Sequence, residues 1–284
     1  MTELDFIAAL RTLPLHAGAQ DLRDDCALLQ VGGETLVLTY DAIAEGVHYL
    51  PGTDPADIAW KLVAVNLSDL ASKGAEPLGV LIGAALIEES ERFVSGLRAV
   101  LEHFGVPLLG GDTIRPQGPA TFGCTAIGRA TVTPVPLRTG ASAGDAVYVA
   151  GTIGEAMLGF RAGNGPAYLR PQPLLAEGRA LAPHVHAMMD VSDGLLLDAS
   201  RMAAASGCTA SIKLNAIPFP AGMGSGDWVA AASWGDDYAL LFAAPVDAVL
   251  PVAATRIGTM LAPGDAPLLL DGKAPDGPLG YQHG

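Results

Sequence analysis

Residues 35–40 read TLVLTY, a run of β-branched and apolar side chains that predicts a strand, and beyond it the pattern changes. Over residues 53–72 (TDPADIAWKLVAVNLSDLAS) apolar positions recur three and four apart, the period of a helix. Thr53 or Asp54 is placed to cap it, Pro55 suits a first turn that needs no backbone N–H, and Gly74 lies just beyond its end. A buried strand is expected at 80–86, an amphipathic helix at 89–104, and a short strand at 107–109 that runs into GGDT. Residues 121–129 read as a strand, and the following TVTPVPL as strand and connector.

A second start appears at Gly144, where GDAVYVAG reads as a strand and GEAMLGFRAG begins a helix at Gly154. A joint rich in Pro and Gly at 163–173 precedes a helix near 174–182, the short strand AMMD, a helix over 194–206 and a strand over 209–214. YALLFA at 238–243 and PLLL at 267–270 are later strand candidates, and the Gly/Ser patch at 222–226 reads as a loop. Strands and helices interleave in both halves, so the expected class is α+β or α/β. The break rich in Pro and Gly near 130–144 divides it into two expected domains, 1–135 and 140–284.

Charge narrows the function. Lys and Arg number 16 against 30 Asp and Glu, a net charge of −14 over 284 residues. Such a surface lacks the clustered cations that nucleic acids and anionic membranes require. The most apolar run, 77–87, is too short to cross a bilayer, and the opening MTELDFIAALRTLP lacks the basic start of a signal peptide. Cys26, Cys124 and Cys208 are far apart and odd in number, which argues against a disulfide framework or a zinc site and fits a reducing cytoplasm. GxxxxGK[ST], HExxH, GxGxxG and EF-hand spacings are absent.

What remains is a series of aspartates at the ends of predicted elements: Asp24 and Asp25, Asp41, Asp69, Asp112, Asp190 and Asp193, and Asp236 and Asp237. Each alone reads as a cap or turn residue. Together they resist that reading, because DVSDG sets two carboxylates three apart before a helix, and gathered carboxylates need cations to neutralise them. Mg²⁺ takes oxygen ligands and keeps waters that a polyphosphate replaces. The glycines of GGDT would let backbone N–H groups approach a phosphate. The residues therefore point to a magnesium-dependent nucleotide phosphate site of non-Walker type. Asn66 and Asp69 share one helix face; that face could be exposed, with Lys73 pairing Asp69 at the surface. His48 could cap a turn, and Arg138 could be a solvated loop cation.

RDDCALL, TYDAIAEGVHYLP, DPADIAWKLVAVNLSDLASKGAEPLG, GGDTIRP, RTGASAGDAVYVAGTIGEA, DVSDGLLLD and GDDYALLF together resemble thiamine-monophosphate kinase, in that family's order, over roughly residues 21–243. The wider superfamily includes aminoimidazole ribonucleotide synthetase, selenophosphate synthetase and a hydrogenase-maturation protein. The resemblance implies an N-terminal sheet-and-helix domain that dimerises through its sheet, a C-terminal α/β domain, and a cleft between them for ATP, several Mg²⁺ ions and thiamine monophosphate. It implies Asp25, Thr39, Asp41, Asp69, Asp112, Asp190 and Asp193 as metal ligands, with Asp69 and Asp193 the catalytic pair. Gly111, Asp112, Arg138 and Ser192 would contact ATP, and His48 and Asp236 the substrate. Two positions depart from the family pattern, Tyr40 standing for Thr or Ser and Asp236 for Glu; the C-terminal end, where the family sets an aromatic against the thiamine ring, matches weakly, and Tyr281 is the candidate there. The implied reaction is in-line phosphoryl transfer giving thiamine diphosphate. The alternatives are a related ATP-using synthetase with another acceptor, a catalytically silent nucleotide-binding homologue, and a structural divalent-ion protein.

Overall fold

The computed structural model describes residues 2–282, apart from the Leu4 side chain. Its first half runs α1 (Glu3–Leu10), β1 (Ala27–Val31), β2 (Glu34–Ala44), α2 (Pro55–Ser72), β3 (Ala75–Ala85), α3 (Ser90–Phe104), β4 (Leu108–Ile114) and β5 (Thr121–Ala130). The second runs β6 (Ala146–Ala150), α4 (Glu155–Arg161), α5 (Pro166–Leu169), α6 (Leu175–Leu181), β7 (Ala187–Asp190), α7 (Leu195–Ala205), β8 (Thr209–Ile212), α8 (Trp228–Ala232), β9 (Leu240–Ala244), β10 (Thr255–Leu261) and β11 (Leu268–Leu270). Two mixed sheets result, ordered β1-β2-β5-β3-β4 and β11-β8-β10-β6-β9-β7. This is the two-domain α+β arrangement that the alternation implied.

The long helix begins as its sequence dictates: Asp54 is the N-cap, accepting from Ala56 N at 2.9 Å, and Pro55 fills the first turn. α3 ends at Gly105, whose φ of 65° suits the left-handed C-terminal position. β2 alternates in burial. Thr35, Val37, Thr39 and Ile43 are buried on one side, while Tyr40 is exposed on the other. The buried side meets α2 and α3, where Phe93 stacks on Phe122 with centroids 4.7 Å apart. The opposite face of that sheet leaves Tyr40, Leu81 and Leu109 exposed, with Leu109 lying over Gly79.

Three local expectations give way. GGDT is not a loop after a short strand; β4 runs through it and pairs with β3 from Val80↔Leu108 to Ala85↔Ile114. TVTPVPL forms no strand, since Pro134 and Pro136 cannot donate to a ladder. β10, unforeseen, fills the centre of the second sheet between β8 and β6.

α2 is not a half-exposed helix. From Pro55 to Ser72 every residue but Asp57 is buried, because the first sheet packs on one side and α5, α6 and β7 of the second half on the other. The approach is close enough to demand glycine: a Cβ on Gly178 of α6 would lie 2.0 Å from Ala71 O.

Candidate functional site

Burying α2 carries its polar face into the seam between the two halves. Asn66 Oδ1 accepts from Asp41 N at 2.9 Å, and Thr39 Oγ1 donates to Asp69 Oδ2, so β2 and α2 present Asp41 and Asp69 together. Ser68, one residue before, donates to Asp190 Oδ2 at 2.6 Å at the end of β7. The alternative in which this face lies exposed, with Lys73 as a surface partner of Asp69, therefore does not hold. Lys73 is fully buried, and its Nζ lies 2.7 Å from Asp24 Oδ1 and 3.4 Å from Asp25 Oδ2.

Asp24 and Asp25 follow Gln20, Asp21 and Leu22, three consecutive residues with φ near 50°. Non-glycine residues hold that conformation at a cost, offset here by the Arg11 guanidinium, which donates to Asp21 O and Leu22 O at 2.9 Å each. Arg138 is no solvated loop cation. Its guanidinium pairs with Asp25 and its backbone N donates to Asp24 Oδ2 at 2.7 Å. Past β7, Asp193 N donates to Asp198 Oδ2 at 3.2 Å, and Arg201 pairs with both Asp193 and Asp198.

These groups surround a cavity of about 770 Å³ whose wall includes Asp25, Asp41, His48, Asp69, Arg138, Ser192, Asp193, Asp236 and Tyr281. Thr39 and Asp190 are buried, joined to this cluster through Asp69 and Ser68 respectively. His48 also serves as the turn residue envisaged for it, its Nδ1 accepting from Ala44 N at 3.1 Å. Tyr281 is drawn in by its own amide, which donates to Asp193 O at 2.9 Å. Tyr40 faces away on the open side of the sheet, against Gly123.

Gly111 and Asp112 are not brought to this cavity. They lie on the edge strand β4, exposed, and Asp112 Oδ1 accepts from its neighbour Thr113 N at 2.8 Å. Strand packing itself asks for glycine at 111: a Cβ there would stand 1.9 Å from Ile82 O.

The electrostatics are those of carboxylates crowded together. Burial, then the charge of Asp25, pushes Asp190 up to about 8. Removal from water, then Asp25 and Asp193, pushes Asp41 up to about 6. Asp69 is raised well above the usual range by burial and by Asp41 and Asp190. Asp25 goes the other way: burial raises it, but Arg138 and Lys73 outweigh burial and hold it at about 2. Among the described residues, no three His, Cys, Asp or Glu side chains stand together as a ready-made metal cage. Lys73, Arg138 and Arg201 each pair with an aspartate of the cluster, namely Asp24, Asp25 and Asp193.

Residues 23–130 match the family described as AIR synthase related protein, N-terminal domain, and residues 142–256 the corresponding C-terminal domain. Thiamine-monophosphate kinase of Caulobacter vibrioides is 38% identical over an alignment of 272 positions that covers 85% of this chain and 76% of that protein. The chain belongs to the thiamine-monophosphate kinase family. Among solved structures, AaThiL complexed with AMPPCP and TMP superposes with a TM-score of 0.87 at 27% identity, covering 99% of this chain and 97% of that one. Thiamine-monophosphate kinase from Stenotrophomonas maltophilia K279a gives 0.76 at 33% identity, covering 96% of each chain.

Against that family frame, sequence reasoning missed Lys61, Ser68, Tyr168, Asp198 and Arg201, all packed on or around the cavity. A signal existed for some. Two of the chain's four lysines sit in or just after the helix that carries Asn66 and Asp69, and Asp198 closes the DVSDGLLLD motif.

Proposed function

We propose that this chain transfers the γ-phosphoryl group of ATP to the phosphate of thiamine monophosphate, giving ADP and thiamine diphosphate. Its relatives carry that name, and AaThiL binds AMPPCP and TMP. The observation that carries the reading is convergence: Asp25, Asp41 and Asp69 from one half meet Asp193 and Asp236 from the other around one cavity. At about 770 Å³ it lies at the upper end of ordinary ligand pockets.

The donor set fits Mg²⁺. It consists of oxygens only, and the proton affinities of Asp41, Asp69 and Asp190 are raised first by burial and then by neighbouring carboxylates, both of which a hard dication bound to the ionised groups would offset. Asp25, Thr39, Asp41, Asp69, Asp190 and Asp193 would hold the ions, which supply charge neutralisation to phosphate oxygens that otherwise repel each other. Arg138 and Arg201, now paired with Asp25 and Asp193, are the guanidinium groups that line the cavity. Both are suited to phosphate. His48 and Asp236 stand at the acceptor end, and Ser192 at the mouth of α7 beside Asp193. In the transfer, an anionic oxygen of the acceptor phosphate bonds to the γ-phosphorus as the bond to the bridging oxygen breaks, and that electron pair leaves on ADP. The nucleophile is already deprotonated, so no strong general base is required, and Asp69 and Asp193 act as charge carriers and orienters.

We further infer a homodimer packed through the open face of the first sheet. Tyr40, Leu81 and Leu109 are exposed on that face although helices cover the other. Pairing there offers the β4 edge, with Gly111 and Asp112, a route to the cavity of a second copy. The decisive experiment is incubation with MgATP and thiamine monophosphate. Stoichiometric thiamine diphosphate and ADP are expected; ADP without thiamine diphosphate would return the chain to the synthetase branch.

A further inference from the structure

Lys61 is a buried charge for which the aspartate cluster has no use. It lies in α2, 1% exposed, and its Nζ donates to His48 O at 2.9 Å and to Asp236 Oδ2 at 3.1 Å. The same ammonium sits 3.8 Å from the centroid of the Tyr168 ring. Tyr168 Oη also donates to His48 O, at 2.9 Å, and Tyr238 Oη donates to Asp236 Oδ1 at 2.9 Å. One cation thus ties four segments together: α2 and the turn after β2 from the first half, α5 and the turn before β9 from the second. Both oxygens of Asp236 are held, and the His48 carbonyl receives two donors.

A buried lysine is costly, and a strut between halves would be served as well by apolar packing. The partners here are of another kind. His48, Tyr168 and Asp236 all line the cavity, and the Asp236 side chain keeps 25% of its surface open toward it. Asp236 and Tyr238 hold φ values of 60° and 51°, a left-handed backbone that non-glycine residues adopt only when their surroundings enforce it. Gly235 before them turns at φ 90°, where a Cβ would stand 2.5 Å from Ser192 O. The turn is therefore wedged against the DVSDG loop, and Lys61 holds its carboxylate from the far side.

We infer that Lys61 is a positioning residue for the phosphoryl acceptor, aiming the Asp236 carboxylate and the His48 turn into the acceptor end of the cavity. This rests on the acceptor reading given above. Lys61→Met keeps an unbranched chain of similar length, and the double variant Lys61→Met/Asp236→Asn removes both charges, so no unpaired ion limits its folding. In Lys61→Met the KM for thiamine monophosphate is expected to rise about tenfold, the worth of one lost charge-assisted hydrogen bond, with the KM for MgATP changed by less than about twofold. In the Asp236→Asn background, Lys61→Met should add less than about twofold, because residues that act through one another are not additive. Parallel rises in both KM values, or effects that multiply, would overturn the assignment and leave Lys61 a strut. A readout independent of the acceptor is amide exchange in the ligand-free protein. Exchange at 46–50 should quicken in Lys61→Met while β3 and β5 keep their protection. Unchanged exchange at 46–50 overturns the assignment even where the unaltered protein makes no thiamine diphosphate, an outcome that would itself sink the acceptor reading.

Discussion

Ser68 on α2 donates its hydroxyl to Asp190 Oδ2 on β7 at 2.6 Å, joining the two halves of the chain inside the carboxylate cluster. Both groups are buried, and the bond partly opposes the upward push on Asp190. Ser68→Ala leaves that carboxyl without its donor. Stability should fall by about 1–3 kcal/mol, read by chemical denaturation of the metal-free protein. A midpoint unmoved by the change would show that the contact contributes nothing.

Asp69 and Asp193 test the metal reading directly. Asp69→Asn and Asp193→Asn should each lower turnover by roughly 10²–10³. They should not unfold the protein. Asp69→Asn in particular removes a carboxyl whose ionised form is disfavoured by burial and by Asp41 and Asp190, so the metal-free variant should melt no lower than the parent, while Mg²⁺ raises its melting temperature less. Parental turnover in both variants would remove the metal assignment.

The shifted carboxylates set the pH dependence. Asp190 (about 8) and Asp41 (about 6) hold protons more tightly when folded than an ordinary carboxyl does, so the stability tied to their protonated forms is full below about pH 4 and is lost progressively from there as pH rises through those values. Asp25, held at about 2, works in the opposite sense, and its contribution is lost as pH falls below about 4 toward 2. The metal-free protein should therefore be most stable near pH 4 and weaken steadily from there toward pH 8, where Mg²⁺ should restore it most. Melting curves across pH with and without Mg²⁺ decide this. A metal-free optimum at pH 8 would contradict the crowding of these groups.

Leu81 projects from the open face of the first sheet, 38% exposed and off the side covered by α2 and α3. Leu81→Arg should leave the monomer folded, abolish self-association and lower turnover sharply if the edge strand of one copy completes the cavity of another. Sedimentation and the phosphoryl-transfer assay on the same sample separate the two effects. A variant that sediments and turns over like the parent would rule out this face.

Much of the local structure was legible along the chain. Asp54 and Pro55 announce the start of α2, and Gly74 its end, because capping depends on neighbours within one turn. The aspartates at element ends were legible as a set, since their number and spacing exceed what turns require. Which of them meet was not. Ser68 and Asp190 are 122 residues apart, and Lys61 and Asp236 175. Such pairs exist only once α2 is enclosed between the first sheet and the second half. For the same reason Lys73, which reads as a surface charge, becomes the buried partner of Asp24, and Asp112, which reads as a ligand beside a phosphate loop, lies on an exposed edge strand. Sequence alone determined which residue types were available and where helices begin and stop, because those depend on short-range sterics and hydrogen bonding. Tertiary packing decided which charges lost their water and which partners they found, because burial is a property of surfaces brought together from distant parts of the chain.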